Sequence, residues 1–207
     1  MTGKEIMSVS PIVPVIAIDD EKDALPLAKA LSEGGVNVME ITLRTEAGLK
    51  AVEVIAKQMP SMNVGTGTVC NEDDIIASKK AGAKFVFSPG ISQELIDAAK
   101  KHEITLIPGV ATASEVMLAQ NNGIFYCKLF PASIVGGVDI LKAFNGPFPK
   151  MNFCPTGGVK LNNLNDFLSL NNVLCAGGTW FVPKDAITNN NFGKITQLCK
   201  EAIDSIN

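Results

Sequence analysis

Two charged side chains in this 207-residue sequence interrupt short runs that otherwise have the composition of buried β-strands. Glu40 lies in the run VMEITL at residues 38–43, and Lys128 lies in the run YCKLFP at residues 126–131. Lysine is seldom buried without a partner or a task. Desolvation or a nearby cation favours the neutral amine, which can attack a ketone to form a Schiff base. The alternative is a lysine at a strand edge whose amine extends to solvent.

The strand around Glu40 places two more polar side chains on the same face. With a period of two, Glu40, Thr42 and Arg44 point one way while Met39 and Ile41 point the other. A carboxylate and a guanidinium on an inner face are costly to desolvate unless they pair or bind something. Glu40 and Arg44 therefore form either a structural salt bridge or part of a ligand site. Arg44 is the only arginine among 18 Lys and Arg residues, which suggests a position that needs a guanidinium.

The remaining reactive side chains are few. The one histidine, His102, lies in a polar stretch and is interpreted as a solvated helix end, so acid/base chemistry falls to carboxylates, lysine or cysteine. The five cysteines are odd in number, and no two have the two-residue spacing of a metal or redox pair. We interpret them as reduced and mostly buried thiols.

The charge balance and the hydropathy pattern argue against nucleic-acid and membrane partners. The chain has 18 Lys and Arg against 21 Asp and Glu, a net charge of -3 and no basic run, so it lacks the electrostatic footprint of a nucleic-acid binder. No apolar stretch approaches the roughly 18 residues of a membrane span, and the N-terminus does not read as a signal peptide. We expect a cytoplasmic protein without nucleic-acid or membrane partners.

Short β-branched or aromatic runs alternate with segments of helical period throughout the chain. The eight runs begin at Val13, Val38, Asn63, Phe85, Thr105, Tyr126, Asn152 and Val173. Their spacing of about 23 residues is enough for a strand, a loop and a helix. Such alternation predicts parallel strands with right-handed crossovers, in a closed barrel or an open doubly wound sheet. Eight units favour a single closed, eight-stranded (β/α)8 TIM barrel that forms one domain over residues 1–207.

Helix signals support this alternation. An apolar stripe over residues 24–31 ends at Gly34 and Gly35, and a final stripe covers residues 192–206. Thr112 and Glu115 have the spacing of a capping box. These positions predict helices between the strands.

The predicted barrel would bring the candidate residues together. Active sites of this fold lie at the C-terminal ends of the strands, and strands two and six face each other, so Glu40 and Lys128 could reach one small ligand. Glycine pairs end strands seven and eight, at Gly157-Gly158 and Gly177-Gly178. Backbone N–H groups at those ends usually bind phosphate in this fold, although turns also use glycine for other reasons.

Together, motifs at all eight predicted strands resemble the bacterial 2-keto-3-deoxy-6-phosphogluconate (KDPG) aldolases, also called 4-hydroxy-2-oxoglutarate (KHG) aldolases. The segments that carry the resemblance are Val13-Pro14-Val15-Ile16, Glu40-Ile41-Thr42-Leu43-Arg44-Thr45, Gly65-Thr66-Gly67-Thr68-Val69, Ser88-Pro89-Gly90, Ile107-Pro108-Gly109, Lys128-Leu129-Phe130-Pro131-Ala132, Cys154-Pro155-Thr156-Gly157-Gly158 and Gly177-Gly178-Thr179-Trp180.

The resemblance implies a class I, metal-independent aldolase that uses no cofactor and forms a homotrimer. Its partners would be small 2-keto acid and sugar-phosphate substrates. It would split KDPG into pyruvate and glyceraldehyde 3-phosphate, and KHG into pyruvate and glyoxylate. The alternatives are an aldolase for the galactonate epimer of KDPG, a different phosphate-binding barrel enzyme in which Lys128 acts by charge, and a barrel that binds a metabolite without catalysis.

The resemblance also implies residue roles. Lys128 matches the Schiff-base lysine and Glu40 the general acid/base. The other matches are Arg44 and Thr68 for the pyruvyl carboxylate, Thr156 for a hydroxyl near the imine, Phe130 and Pro89 for the apolar wall beside the pyruvyl methyl, and Gly157, Gly158 and Thr179 for the phosphate pocket. The sequence departs from the family pattern at Leu129, Ser133 and Thr179, where related enzymes often have Phe, Glu and Ser. These departures leave every catalytic group in place.

Overall fold

The computed structural model describes residues 1–206, within which the chain forms nine β-strands and ten α-helices. The strands are β1 (Ile12–Ile16), β2 (Val38–Thr42), β3 (Asn63–Gly67), β4 (Phe85–Phe87), β5 (Thr105–Ile107), β6 (Gly109–Val110), β7 (Tyr126–Leu129), β8 (Asn152–Pro155) and β9 (Ala176–Gly178). The helices are α1 (Gly3–Met7), α2 (Ala24–Glu33), α3 (Gly48–Gln58), α4 (Glu72–Lys80), α5 (Gln93–Lys101), α6 (Ala113–Asn121), α7 (Gly137–Asn145), α8 (Leu164–Leu168), α9 (Lys184–Thr188) and α10 (Phe192–Asp204).

The strands form two parallel sheets, and the predicted closed eight-stranded (β/α)8 barrel is therefore wrong. Six strands pair in the order β5-β4-β3-β2-β1-β9, and three pair in the order β6-β7-β8. One break falls at Pro108, which divides the run that begins at Thr105 into β5 and β6. Proline has no N–H to donate to a ladder. β5 pairs with β4, and after Pro108 the chain pairs with β7 instead.

The second break lies between β8 and β9. Two isolated bridges, Phe153 to Val173 and Thr156 to Gly177, connect these segments in place of a continuous ladder. The predicted eighth strand begins at Val173, whereas β9 begins at Ala176 and consists of Ala-Gly-Gly. Glycine weakens strand pairing because it has no side chain to pack. The result is an incomplete barrel built from two sheets.

The parallel pairing still places all strand C-termini on the same side of the molecule. In the register of β2, Glu40 lies opposite Val15 of β1 and Gly65 of β3. In the three-stranded sheet, Lys128 lies opposite Gly109 of β6 and Cys154 of β8. Charged residues of both sheets can therefore face one another across the interior.

Helices pack on the outer faces of the strands and form the core with them. The predicted stripe at residues 24–31 is buried in α2, and Ile195, Cys199 and Ala202 of α10 are buried beside it. The capping box of Thr112 and Glu115 is present at the start of α6, which confirms that prediction. Met39 and Ile41 of β2 are fully buried as the alternation indicated. No helix within residues 1–206 is long and apolar enough to cross a membrane.

The histidine and most cysteines belong to the scaffold. His102 is the C-cap of α5, where its Nε2 lies 2.7 Å from Glu72 Oε1. All five cysteines are free thiols; Cys70 is exposed, and the other four are buried. Burial raises the pKa of the Cys199 thiol to about 12 and also raises the pKa of the Cys127 thiol, because a buried thiolate would be poorly solvated. These two cysteines are packing residues in the neutral form.

Candidate active site

The centre of the site is a buried ion pair between the two sheets. Lys128 Nζ on β7 lies 3.0 Å from Glu40 Oε1 and 3.3 Å from Oε2 on β2. Lys128 is 5% exposed and Glu40 is 1% exposed. The lysine amine therefore does not extend to solvent, and Glu40 pairs with Lys128 rather than with Arg44. Contact between ammonium and carboxylate allows a proton to pass to Glu40, which would leave a neutral amine able to attack a carbonyl.

Two aromatic rings flank the ammonium group. Lys128 Nζ lies 5.4 Å from the ring centroid of Phe87 and 5.3 Å from that of Phe130. Both distances are within the range of a cation–π interaction. The rings also exclude water, so the charge of Lys128 depends mainly on Glu40 for compensation. A protonated imine formed at this amine would keep a positive charge beside Glu40.

Gly67 at the end of β3 gives the Glu40 carboxylate its space. A Cβ at position 67 would lie 2.0 Å from Glu40 Oε1 and 2.6 Å from the carboxyl carbon. No side chain other than hydrogen fits there unless the carboxylate moves. No role was predicted for Gly67 from the sequence, although a glycine inside a strand run signals the close approach of another group.

Arg44 follows β2 and lies at the mouth of the site. Its Nε donates to Thr42 Oγ1 at 3.2 Å, and within residues 1–206 its guanidinium makes no ion pair. The predicted alternative of a salt bridge with Glu40 is therefore absent. An exposed guanidinium that makes no ion pair can bind the carboxylate of a ligand by donating hydrogen bonds to it.

These side chains line a cavity of about 180 Å³. Seven of the predicted site residues contribute to it: Glu40, Arg44, Thr68, Pro89, Lys128, Phe130 and Thr156. Val15 and Thr42 also line the cavity and were not among the predicted site residues. Thr42 shares the inner face with Glu40 and Arg44, so the alternation of β2 was the signal for it. The cavity combines one cation, one anion and an apolar wall.

Thr68 reaches the cavity through an unusual backbone conformation. Its φ of 65° is in the left-handed region, which β-branched residues rarely adopt. Such a residue costs on the order of 1–3 kcal/mol of backbone strain and persists where the surroundings determine it. The neighbouring Val69 N–H donates to Phe87 O at 3.2 Å, which fixes the turn after β3. The turn places Thr68 on the cavity wall, half-buried.

The three predicted phosphate-binding residues lie on two different segments of the outer site. Thr179 lines a second cavity of about 350 Å³ that shares Val15 and Arg44 with the first. Gly157 and Gly158 instead face the segment after β7, where Gly157 O accepts from Ser133 N at 3.0 Å. Both glycines have positive φ values, 97° and 82°. The outer part of the site is therefore built from turns and is more open than the ion-pair cavity.

Comparison with known proteins gives a consistent result. The family described as KDPG and KHG aldolase matches residues 4–198. The 2-dehydro-3-deoxy-phosphogluconate aldolase of Pseudomonas aeruginosa is 49% identical over 93% of this chain and 88% of its own length. The KHG/KDPG aldolase of Escherichia coli K12 is 45% identical over 98% of this chain and 95% of its own length.

A solved structure gives the same family. The KDPG aldolase of Legionella pneumophila, with pyruvate captured at low pH as a covalent carbinolamine intermediate, aligns with a TM-score of 0.96 at 44% identity over 98% of both chains. Because the family match and these relatives cover nearly all of the chain, the protein belongs to the KDPG and KHG aldolase family.

Proposed function

We propose that this protein is a class I aldolase that cleaves KDPG into pyruvate and glyceraldehyde 3-phosphate through a Schiff base on Lys128. The observation that carries the proposal is the buried amine of Lys128, 3.0 Å from a carboxylate, in a cavity of about 180 Å³. The family and the aldolase relatives support the reaction, and the carbinolamine in the Legionella enzyme supports a covalent route.

The first stage is imine formation. Glu40 takes a proton from the Lys128 ammonium, and the neutral amine attacks C2 of the substrate ketone. A proton passes from nitrogen to the new alkoxide, which gives a carbinolamine. The protonated Glu40 then donates its proton to the carbinolamine hydroxyl, which leaves as water. The product is a protonated imine, and Glu40 is again a carboxylate.

The second stage is cleavage of the C3–C4 bond. Glu40, through a water molecule, removes the proton of the C4 hydroxyl. As the C4 carbonyl forms, the electrons of the C3–C4 bond move to C3 and the iminium nitrogen, which releases glyceraldehyde 3-phosphate and leaves an enamine. Protonation at C3 gives the imine of pyruvate, and water hydrolyses it to pyruvate and free Lys128.

The other cavity residues orient the substrate. Arg44 and Thr68 would hold the carboxylate at C1, so that the keto carbon lies against Lys128. Phe130 and Pro89 form the apolar wall beside the carbon that becomes the methyl of pyruvate. Thr156, which is 5% exposed, supplies a hydroxyl near the imine. The family resemblance implies each assignment, and the presence of these residues in the cavity lining supports it.

The outer part of the site would bind the phosphate. Thr179 lines the cavity adjoining Arg44, and Gly157 and Gly158 lie at the turn after β8. Hydroxyl and backbone N–H donors can hold a phosphate without a cation. KHG has no phosphate and would use only the inner cavity, so we also propose cleavage of KHG to pyruvate and glyoxylate.

Reductive trapping tests the mechanism directly. Treatment with pyruvate and borohydride should add a pyruvate-derived mass to Lys128, and the modified protein should lose activity. Lys84→Gln, which removes another partly buried lysine, is the matched control and should trap as the native chain does. An unmodified Lys128, under conditions that trap a known class I aldolase, would favour a phosphate-binding barrel enzyme in which the lysine acts by charge.

A pyruvate-release assay tests the substrate. We expect the largest kcat/KM for KDPG compared with its galactonate epimer and KHG. Faster turnover of the epimer would assign the protein to the galactonate reaction instead. If none of the three substrates releases pyruvate and pyruvate does not modify Lys128, the results would support a metabolite-binding barrel without catalysis.

We further propose that the protein works as a homotrimer in the cytoplasm, with the chain acting as one domain. The family resemblance implies the trimer, and the five unpaired thiols suit a reducing compartment. Residues from Val15 in β1 to Thr156 after β8 line one cavity, which supports a single domain. Light scattering of the purified protein measures the oligomeric state, and a monomer mass would contradict the trimer.

A further inference from the structure

Thr42 is a buried hydroxyl in the catalytic cavity to which none of the reaction steps assigns a role. It is 1% exposed, it ends β2 two residues after Glu40, and Arg44 follows it by two residues. Its Oγ1 donates a hydrogen bond to Ile16 O at 2.9 Å and accepts one from Arg44 Nε at 3.2 Å. The hydroxyl thus connects the end of β1 to the only arginine of the chain.

The chemistry of the three groups determines which one donates and which one accepts in each of these two hydrogen bonds. A hydroxyl has one proton, and a backbone carbonyl can only accept, so the Thr42 proton must point to Ile16 O. Guanidinium N–H groups can only donate, so a lone pair of Thr42 must face Arg44 Nε. The ladder between β1 and β2 ends at Ile16 and Ile41, and the carbonyl of Ile16 sets the hydroxyl orientation just beyond it.

Arg44 has no other anchor within residues 1–206. Its exposed guanidinium makes this one hydrogen bond and no ion pair. Tethering at Nε leaves both terminal amino groups free, and these two groups bind a carboxylate in bidentate fashion. A long side chain that is held before binding loses less entropy when the ligand arrives. The tether therefore favours recognition of a carboxylate at the cavity mouth.

Thr42 also separates two groups of opposite charge. Glu40 precedes it by two residues, Arg44 follows it by two, and all three line one cavity, so a guanidinium freed from the tether could pair with the Glu40 carboxylate. That pairing would take the carboxylate away from Lys128, which holds it at 3.0 Å. The hydroxyl thus keeps the arginine directed at the ligand and away from the acid/base.

We propose that Thr42 is a positioning residue, which holds Arg44 so that its guanidinium grips the C1 carboxylate of the 2-keto acid substrate. The inference rests on the proposed function, because it assigns the carboxylate of that substrate to Arg44. It predicts that substrate affinity, more than the rate of the chemical steps, depends on the Thr42 hydroxyl.

The decisive variants are Thr42→Val, which keeps the shape and loses the hydroxyl, and Thr42→Ser, which keeps the hydroxyl. Thr42→Val should raise KM for both KDPG and KHG about tenfold, as expected for loss of a hydrogen bond to a charged group, with a much smaller change in kcat. Thr42→Ser should restore a KM near that of the native protein. Unchanged KM in Thr42→Val, or a loss confined to kcat, would overturn the proposal.

Thr66→Val is the matched control for a buried threonine. Thr66 is fully buried on β3, and its hydroxyl donates to Ser78 Oγ at 2.7 Å, outside the cavity lining. It should lose stability as Thr42→Val does, with KM unchanged. If Thr42→Val does not fold, Thr42→Ala provides the same comparison with less volume.

A double variant separates the tether from a purely structural role. In an Arg44→Lys background there is no Nε donor at that position, so Thr42→Val should add little further increase in KM. The same tenfold increase in both backgrounds would show that the hydroxyl acts only through Ile16 and would overturn the proposal.

Calorimetric binding of pyruvate distinguishes failure of the proposed function from failure of the positioning role. Absence of binding to the native chain contradicts the proposed function, whereas equal binding by native and Thr42→Val proteins contradicts the positioning role alone.

Discussion

The inner and outer ends of the site are built from different materials. At the inner end, Lys128 and Glu40 are charged side chains on strands, 5% and 1% exposed. At the outer end, Gly157, Gly158 and Thr179 offer backbone groups and one hydroxyl on turns that reach the surface. Covalent chemistry needs charges held in a dry, fixed geometry, whereas a phosphate can be held by neutral donors in contact with water. We therefore expect the inner end to determine the reaction and the outer end to determine which substrates are preferred.

The energetics of the two ends differ accordingly. Removing one member of a buried ion pair leaves an uncompensated charge, which lowers the free energy of unfolding by about 3–5 kcal/mol. Removing one neutral hydrogen bond at an exposed position costs about 0.5–1.5 kcal/mol. Substitutions at the inner end should therefore affect every substrate strongly, and substitutions at the outer end should affect phosphorylated substrates weakly.

Glu40→Gln should have the largest effect among the substitutions that keep the lysine. The amide cannot accept the C4 hydroxyl proton, so kcat for KDPG should fall by about 10²–10⁴-fold. The imine should still form, although more slowly, because Lys128 keeps its amine and water must replace Glu40 in the proton transfers. Single-turnover kinetics and borohydride trapping measure the two steps separately. A kcat within a few-fold of the native value would transfer the acid/base role to another group.

Gly67→Ala should have the next largest effect. The added Cβ would lie 2.0 Å from Glu40 Oε1, so the carboxylate must move while the strand backbone can remain. Misplacing a catalytic group by about 1 Å can cost roughly 10²-fold in rate. Gly193→Ala is the control, because its Cβ would meet nothing within 4 Å. Equal kcat values for the two alanine variants would mean that Glu40 tolerates displacement.

Gly67 also illustrates what sequence could and could not predict about the site. The alternation of β2 correctly placed Glu40 on the inner face with Thr42. It left open whether Glu40 pairs with Arg44, four residues away, or with Lys128, which is 88 positions along the chain. Only the packing of two sheets settles that choice. The space at Gly67 is likewise a property of two neighbouring strands, so neither strand's own pattern contains it.

The fold shows the same division between local and long-range information. Six strands begin at the residues where the predicted runs begin, from Val38 to Asn152. The eight strand–helix units nevertheless predicted a closed barrel, because the number of units does not specify which strands pair with each other. The chain passes from one sheet to the other at Pro108. Isolated bridges join β8 to Val173, before β9, and Thr156, after β8, to the short Ala-Gly-Gly strand β9. Periodicity identifies strands, but closure depends on their edges.

Arg44→Lys tests recognition at the mouth of the inner end. Lysine keeps the charge and loses the planar fork, so KM should rise about tenfold for KDPG and for KHG alike, while the melting temperature stays nearly unchanged. Steady-state kinetics with both substrates and a thermal melt measure these quantities. Unaltered kinetics would return Arg44 to a structural role.

Thr179→Val should have the smallest and most selective effect. Loss of one neutral hydroxyl donor should raise KM for KDPG about fivefold, the scale of a single net hydrogen bond. KM for KHG should not change, because that substrate has no phosphate to reach the cavity beside Arg44. The ratio of the two KM values therefore separates the ends of the site: inner variants move both KM values together, and Thr179→Val moves only one. Equal increases for both substrates would place Thr179 at the inner end and remove the distinction between chemistry and substrate preference.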